Sequence, residues 1–246
     1  MPSFWRHVKS VIQQSKIIIE VLDARNIEES RNKEIEDKVR SAGKKLLFVI
    51  NKCDLADPKE LNRYKKNLKP SVFISSKNKL GTTILKKKIL ELSKGKETVV
   101  GVLGYPNVGK SSLINALSGR GAAKTSSRSG FTRGIQKIRV DNRIMILDAP
   151  GVLPYKEKDE SKHAKISALD YSQLKHPEET ALLFIEDNKE MIRTHYNLES
   201  EDGDAMLEEL AFKLKRLLKG NKPDLESTSR ALLKDWQSGK IKRQVN

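Results

Sequence analysis

The residues whose spacing carries the most chemistry form two short runs. Gly104-Tyr105-Pro106-Asn107-Val108-Gly109-Lys110-Ser111 has the Gly-x4-Gly-Lys-Ser spacing of a phosphate-cradling loop. It follows an apolar run, Thr98–Leu103, and precedes a segment with helical spacing, which is the context that such a loop requires. Gly104 and Gly109 let the backbone wrap a phosphate. N–H groups from Asn107 to Ser112, including those of Val108 and Lys110, would point at it from a helix N-terminus. Lys110 would reach the terminal phosphates, as both a binding and a catalytic group, and the Ser111 hydroxyl would join Mg²⁺.

The second run, Asn51-Lys52-Cys53-Asp54, closes the apolar segment Leu46–Ile50. The Asp54 carboxylate can accept two hydrogen bonds from N1–H and the 2-amino group of guanine. Adenine offers no such pair, and leaving a desolvated carboxylate unpaired costs about 1–3 kcal/mol or more. Asn51 would lie between the purine edge and the phosphate loop, and the Lys52 stem would cover the base plane. Ser75, Ser76 and Lys77, at the end of the next strand, would supply backbone N–H groups to the purine oxygen. Cys53 reads as a passive loop residue.

Asp148-Ala149-Pro150-Gly151 ends a further apolar run, Ile144–Leu147. Asp148 would hold Mg²⁺ through a water, and the Gly151 N–H would sense the last phosphate. Within the polar stretch Ser126–Gly134, Thr132 is the favoured second hydroxyl ligand, with Thr125, Ser126, Ser127 and Ser129 as rivals. Val152 follows Gly151, where a water-orienting Gln is often found. An apolar side chain cannot orient water, so slow hydrolysis is expected. Help must come from an ion, another residue or a partner. Asn107 is a candidate ligand for K⁺ bridging the phosphates, and His7 is a candidate catalytic group beside Trp5 and Arg6.

Short apolar runs alternating with helical spacing imply an α/β fold with a mostly parallel sheet. Six strands are expected: Ile17–Leu22, Leu46–Ile50, Val72–Ile74, Thr98–Leu103, Ile135–Val140 and Ile144–Leu147. Asp141-Asn142 would turn the last two into an antiparallel edge pair. Helices are expected at Asn32–Ala42, Lys59–Lys66, Thr82–Ser93 and Lys110–Leu117. After Pro154 only helical spacing remains, in His163–Leu174, Glu178–Asn188, Asp204–Lys219 and Ser227–Gln237, with a further short helix within Asp187–Leu198. Asp224 or Ser227 would cap the last of these. The expected organisation is a nucleotide domain over residues 1–158 and a small all-α domain over 159–246.

The chain of 246 residues carries a formal charge of +16, and residues 161–246 hold equal numbers of acids and bases, so the excess lies upstream. Such an imbalance points to a polyanion larger than a nucleotide, RNA or a ribonucleoprotein. No apolar run is long enough to span a bilayer, no secretory h-region opens the chain, and a single cysteine fits a reducing cytoplasm. Neither a membrane nor DNA is an expected partner, and a monomer is expected. Two other functions fit the same residues: an RNA-binding module in which the nucleotide is only a structural ligand, and a GTPase acting on tRNA. Intact Lys110, Ser111 and Asp148 weigh against the first.

The order of these motifs, with the base-reading run before the phosphate loop, resembles the circularly permuted P-loop GTPases of the YlqF/YawG family. Leu22-Asp23-Ala24-Arg25 with Ser30-Arg31-Asn32, Asn107, Val152, Leu217-Leu218-Lys219-Gly220 and Leu232–Ile241 are similar to that family as well. The resemblance implies a GTPase that assists assembly of the large ribosomal subunit in the cytoplasm, with a helical C-terminal domain contacting rRNA. It also implies GTP/GDP and Mg²⁺ as ligands, stimulation by potassium and the ribosome, and, in some relatives, a catalytic histidine near the N-terminus.

Overall fold

A computed structural model describes residues 3–119, 135–148 and 171–241 of the protein. The readings of Thr132 and its rivals, of Gly151 and Val152, and of residues 163–170 of the first C-terminal helix lie outside the described residues. The chain divides into two compact units, residues 1–158 and 159–246.

The first unit contains α1 (Ser3–Gln14), β1 (Ile17–Asp23), α2 (Lys33–Ser41), β2 (Lys45–Asn51), α3 (Pro58–Asn67) and β3 (Ser71–Phe73). These are followed by α4 (Thr82–Leu92), β4 (Thr98–Leu103), α5 (Lys110–Ser118), β5 (Gln136–Arg139) and β6 (Ile144–Asp148). The six strands form one sheet in the order β3-β2-β1-β4-β6-β5. All neighbours are parallel except β5 and β6. Asp141 turns that antiparallel pair by accepting the N–H groups of Arg143 (2.8 Å) and Ile144 (3.0 Å). Both faces of central β1 are buried, which is why Ile17-Ile18-Ile19 runs apolar without alternation.

Composition sets the ends of the helices. Asn32 caps α2 by accepting the Ile35 N–H, and Asp57 caps α3 with Pro58 at its first position. Sequence reading assigned no element to the N-terminal segment, yet α1 buries Trp5, Val8, Val11 and Ile12 against Ile18, Leu103 and Leu147 of the sheet and Ile35 and Val39 of α2. Gly101 permits this approach: a Cβ there would stand 2.5 Å from a Val11 methyl and 2.8 Å from the Ser15 hydroxyl. Leu22, Ala24, Ile27, Phe48, Ile50, Leu61 and Leu68 form a second cluster.

The second unit comprises α6 (Pro177–Asp187), α7 (Lys189–Tyr196), α8 (Gly203–Lys213), a hairpin of β7 (Leu217–Leu218) and β8 (Lys222–Pro223), and α9 (Leu225–Ser238). Phe184 and Trp236, with ring centroids 5.1 Å apart, lie in a core with Ile185, Leu207, Leu210 and Leu233. Arg230 of α9 donates to the carbonyls of Tyr171 (2.8 Å) and Leu174 (3.2 Å). Asp224 caps α9 through the Ser227 N–H.

Two readings need correction. Residues 171–173 form a short 3₁₀ turn, so helix does not reach Leu174. The helix expected over Asp204–Lys219 ends at Lys213, and the unit is not purely helical. Lys215 takes a left-handed φ of 54°, and the Arg216 N–H reaches back to the Ala211 carbonyl (2.9 Å). This is the closure that glycine usually supplies. With Lys in its place and Leu214, Leu217 and Leu218 at helical spacing, the sequence carries no stop signal.

Candidate nucleotide-binding site

Every described residue assigned above to the nucleotide or Mg²⁺, His7 apart, stands at or just beyond the C-terminal edge of the parallel strands or opens the helix after one. β1, β2 and β3 step outward in one direction and β4 lies on the other side of β1. That reversal creates the crevice in which open α/β sheets bind ligands. In register, Asp23 lies beside Asn51, and Val102 beside Asp148, so the loops after β1, β2, β4 and β6 open on one side.

The phosphate side is built from backbone. Gly104 has φ 138° and a Cβ there would stand 2.6 Å from the Val21 carbonyl. Gly109, at φ 97°, would place a Cβ 2.2 Å from the Asn51 amide nitrogen. Only glycine fits at either point. With Gly109 as its N-cap, α5 has no side chain bonded over its first turn, so its leading N–H groups remain free for an anion. Ser111 and Ser112 lie in that turn, the first half-buried and the second exposed. Asn107, at a left-handed φ of 60°, holds its amide nitrogen buried with no hydrogen-bond partner among the described residues.

Lys110 is buried and donates to the carbonyls of Gly104 (3.1 Å) and Tyr105 (2.6 Å). Burial pushes its ammonium down to about 8, with the charge of Asp148 working the other way. Burial likewise pushes the Asp148 carboxyl up to about 6 against the pull of Lys110, and its Oδ1 has no hydrogen-bond partner among the described residues. A cation short of negative charge therefore sits near a carboxylate short of positive charge. A polyphosphate with a divalent cation supplies both, so these residues fit that pair of ligands.

The base-reading side differs. Asn51 is buried and both ends of its amide are engaged: Nδ2 donates to the Val108 carbonyl (3.0 Å) and Oδ1 accepts the Ser76 N–H (3.1 Å). It ties the phosphate loop to the loop after β3 instead of reaching outward. The Ser75 N–H is spent on the Leu80 carbonyl (3.1 Å). The Ser75 and Ser76 donors assigned to a purine oxygen thus hold the loop together in this structure. Lys77 is exposed beside them, and Asp54 is exposed on a 3₁₀ turn at Cys53–Leu55, where its carboxylate faces solvent. Cys53 packs as a structural thiol: its N–H bonds Ile74, and burial pushes the thiol up to about 12.

Lys52, at φ 63°, pairs with Asp23 (2.8 Å). Asp23 is fully buried and accepts Nε (3.0 Å) and Nη2 (2.7 Å) of Arg25 in a two-point fork. Burial alone would raise its pKa, but the two cations outweigh it and hold the carboxyl well below the usual carboxylate range. Sequence reading noted Asp23 and Arg25 without giving them a role. The available signal was an acid and a base two positions apart at the end of a mostly apolar strand. Buried charges there demand partners. His7 lies on α1 with its Nδ1 buried and without a hydrogen-bond partner among the described residues.

Comparisons with known proteins agree with this geometry. The family described as "50S ribosome-binding GTPase" matches residues 99–221, and "RsgA GTPase" matches residues 9–156. The chain is 38% identical over 245 residues to the uncharacterized GTP-binding protein MJ1464 of Methanocaldococcus jannaschii, covering 95% of this chain and 65% of that protein. It is 34% identical over 280 residues to the nuclear GTP-binding protein NUG1 of Saccharomyces cerevisiae, covering 95% and 54%. The chain thus spans less than two thirds of the length of these relatives. The crystal structure of GNP-bound YlqF from T. maritima superposes with a TM-score of 0.68 at 25% identity, covering 97% of this chain and 94% of that one. By its sheet order, its loops and these matches, the chain belongs to the circularly permuted GTPases of the YlqF type.

Proposed function

We propose that this protein binds GTP, hydrolyses it slowly on its own, and assists assembly of the large ribosomal subunit. Residues 1–158 would form the GTPase domain, and 159–246 a domain contacting rRNA. The observation that carries the reading is the Lys110–Asp148 pair, buried and short of counter-charge, beneath a glycine loop tied by Asn51 to a base-reading loop. The match to a 50S ribosome-binding GTPase family and the basic charge support the choice of partner.

Asp54 would accept from guanine and the Lys52 stem would cover the base, while the N–H groups from Asn107 to Ser112 and the Lys110 ammonium would hold the phosphates. Ser111, Thr132 and, through water, Asp148 would hold Mg²⁺, which when bound neutralises the phosphate oxygens and so eases departure of the last phosphate. The Gly151 N–H would report whether that phosphate is present, and the chain runs on from there toward the second unit. Because Val152 cannot orient the attacking water, turnover would depend on a docked ribosomal particle, on K⁺ at Asn107, or on His7.

Calorimetry with GTP and ATP is the direct test: binding of GTP at least roughly tenfold tighter is expected, and equal affinity would refute the base assignment. Turnover measured with purified large subunits or their precursors, in potassium against sodium salts, tests the coupling. A rate that neither addition changes would remove the ribosome from the proposal.

A further inference from the structure

The β7–β8 hairpin brings exposed apolar side chains and unpaired cations together on one short element. Residues 210–223 contain no acid. Leu218 is 56% exposed, Phe212 46% and Leu217 36%. Lys213 is occupied by Glu209 (3.1 Å), and the Arg216 guanidinium donates to the Ser227 hydroxyl. Lys215, Lys219 and Lys222 have no carboxylate within 4.0 Å among the described residues. The hairpin is held firmly at its base. The Arg216 N–H bonds Ala211 at the end of α8, and the Asp224 N–H bonds Arg216 (3.0 Å) at the start of α9. Gly220 and Asn221, at φ 81° and 58°, close the tip.

We propose that this hairpin is an RNA contact element, with Lys215, Lys219 and Lys222 on backbone phosphates and Leu217 and Leu218 against a ribose or an unstacked base. The proposal rests on the ribosomal reading above and specifies the surface that carries it. Lysines are point charges that track a phosphate chain without demanding fork geometry, whereas an acidic peptide is best gripped by arginine forks. The one arginine here is already engaged. Leucines left in water beside cations are better covered by an apolar ribose or base face, and single-stranded or looped RNA splays such faces outward.

The test uses the full chain and two variants, Lys215→Gln/Lys219→Gln/Lys222→Gln and Leu217→Ser/Leu218→Ser, with protein-free large-subunit rRNA as the probe. GDP affinity and thermal melting are measured in parallel and are expected to be unchanged. The lysine variant should bind the rRNA roughly 10- to 100-fold more weakly at moderate salt. Its salt dependence should be shallower by about three contacts' worth, at about 0.7 in log–log slope per phosphate. The leucine variant should lose several-fold in affinity and keep the original salt slope. If the unmodified chain binds rRNA and the lysine variant binds it equally well, the hairpin is not the contact, although the ribosomal reading survives. If the unmodified chain binds neither rRNA nor ribosomal particles, the ribosomal reading fails and the hairpin assignment with it. Hairpin-dependent binding seen only with ribosomal protein, or only with anionic vesicles, would also overturn it.

Discussion

The two halves of the nucleotide crevice solve opposite problems. On the base side the buried amide and carboxylate already have protein partners: Asn51 bridges Val108 and Ser76, and Asp23 serves both Arg25 and Lys52. On the phosphate side the groups are held in place but not neutralised. Lys110 and Asp148 are each displaced from their ordinary pKa by burial, and an amide nitrogen of Asn107 and an oxygen of Asp148 have no partner among the described residues. The base side is thus part of the fold, and on the phosphate side burial leaves Lys110 and Asp148 with displaced pKa values. Damage to the first should appear as lost stability, and damage to the second as lost affinity.

The largest effect is expected at Asp23. Asp23→Asn leaves the buried Arg25 guanidinium without its carboxylate, and breaking such a pair costs about 3–5 kcal/mol. Denaturant titration of the nucleotide-free protein should show the loss. A stable Asp23→Asn protein with weakened nucleotide binding would contradict the division drawn above. Next comes Lys110→Ala, which removes a cation with no full counter-charge. It should change stability by less than about 1 kcal/mol while weakening GTP binding about 100-fold, the worth of one or two charge-assisted hydrogen bonds. Parallel melting and nucleotide titrations would separate the two outcomes. It would also tell a switch from a scaffold, since a scaffold would still assemble ribosomes.

A smaller effect follows from pH. Nucleotide with Mg²⁺ needs Asp148 ionised and Lys110 charged. Affinity should therefore fall as pH drops through about 6 and fall again as it rises through about 8. A flat profile between pH 5 and 9 would show that neither group meets the ligand. The smallest effect is expected at Glu20, away from the crevice on β1. It accepts the Asn32 N–H (2.7 Å), its other oxygen has no partner among the described residues, and burial pushes its carboxyl up to about 8. The folded state then holds a proton that the unfolded chain releases near 4.5, so stability declines as pH rises between those values. Glu20→Gln should flatten that slope, with a gain near pH 8 and little change near pH 4. An unaltered slope would place the titration elsewhere.

The reading of the sequence reached the fold class and its mostly parallel sheet because apolar runs and helical spacing are local signals with a local physical cause. Gly104 and Gly109 are glycines because a side chain would strike Val21 and Asn51. The reading missed what depends on distant partners. Trp5, Val8, Val11 and Ile12 form a buried helical face whose purpose shows only once Gly101 is seen beneath it. Leu217 and Leu218 continued a helical spacing that Lys215 breaks by taking a conformation unusual for its type. Asn51 and Ser76 were assigned to the ligand, and in this structure they first serve each other.

Sequence by itself determined the fold class, the motifs and their reversed order, because apolar period, glycine geometry and acid–amide spacing act over a few residues. Tertiary structure alone decided which polar groups are spent on the fold and which remain for a ligand. Whether Asp23, Lys110 or Asp148 is satisfied depends on charges that neighbouring strands and loops bring within a few ångströms, and on the water that packing removes.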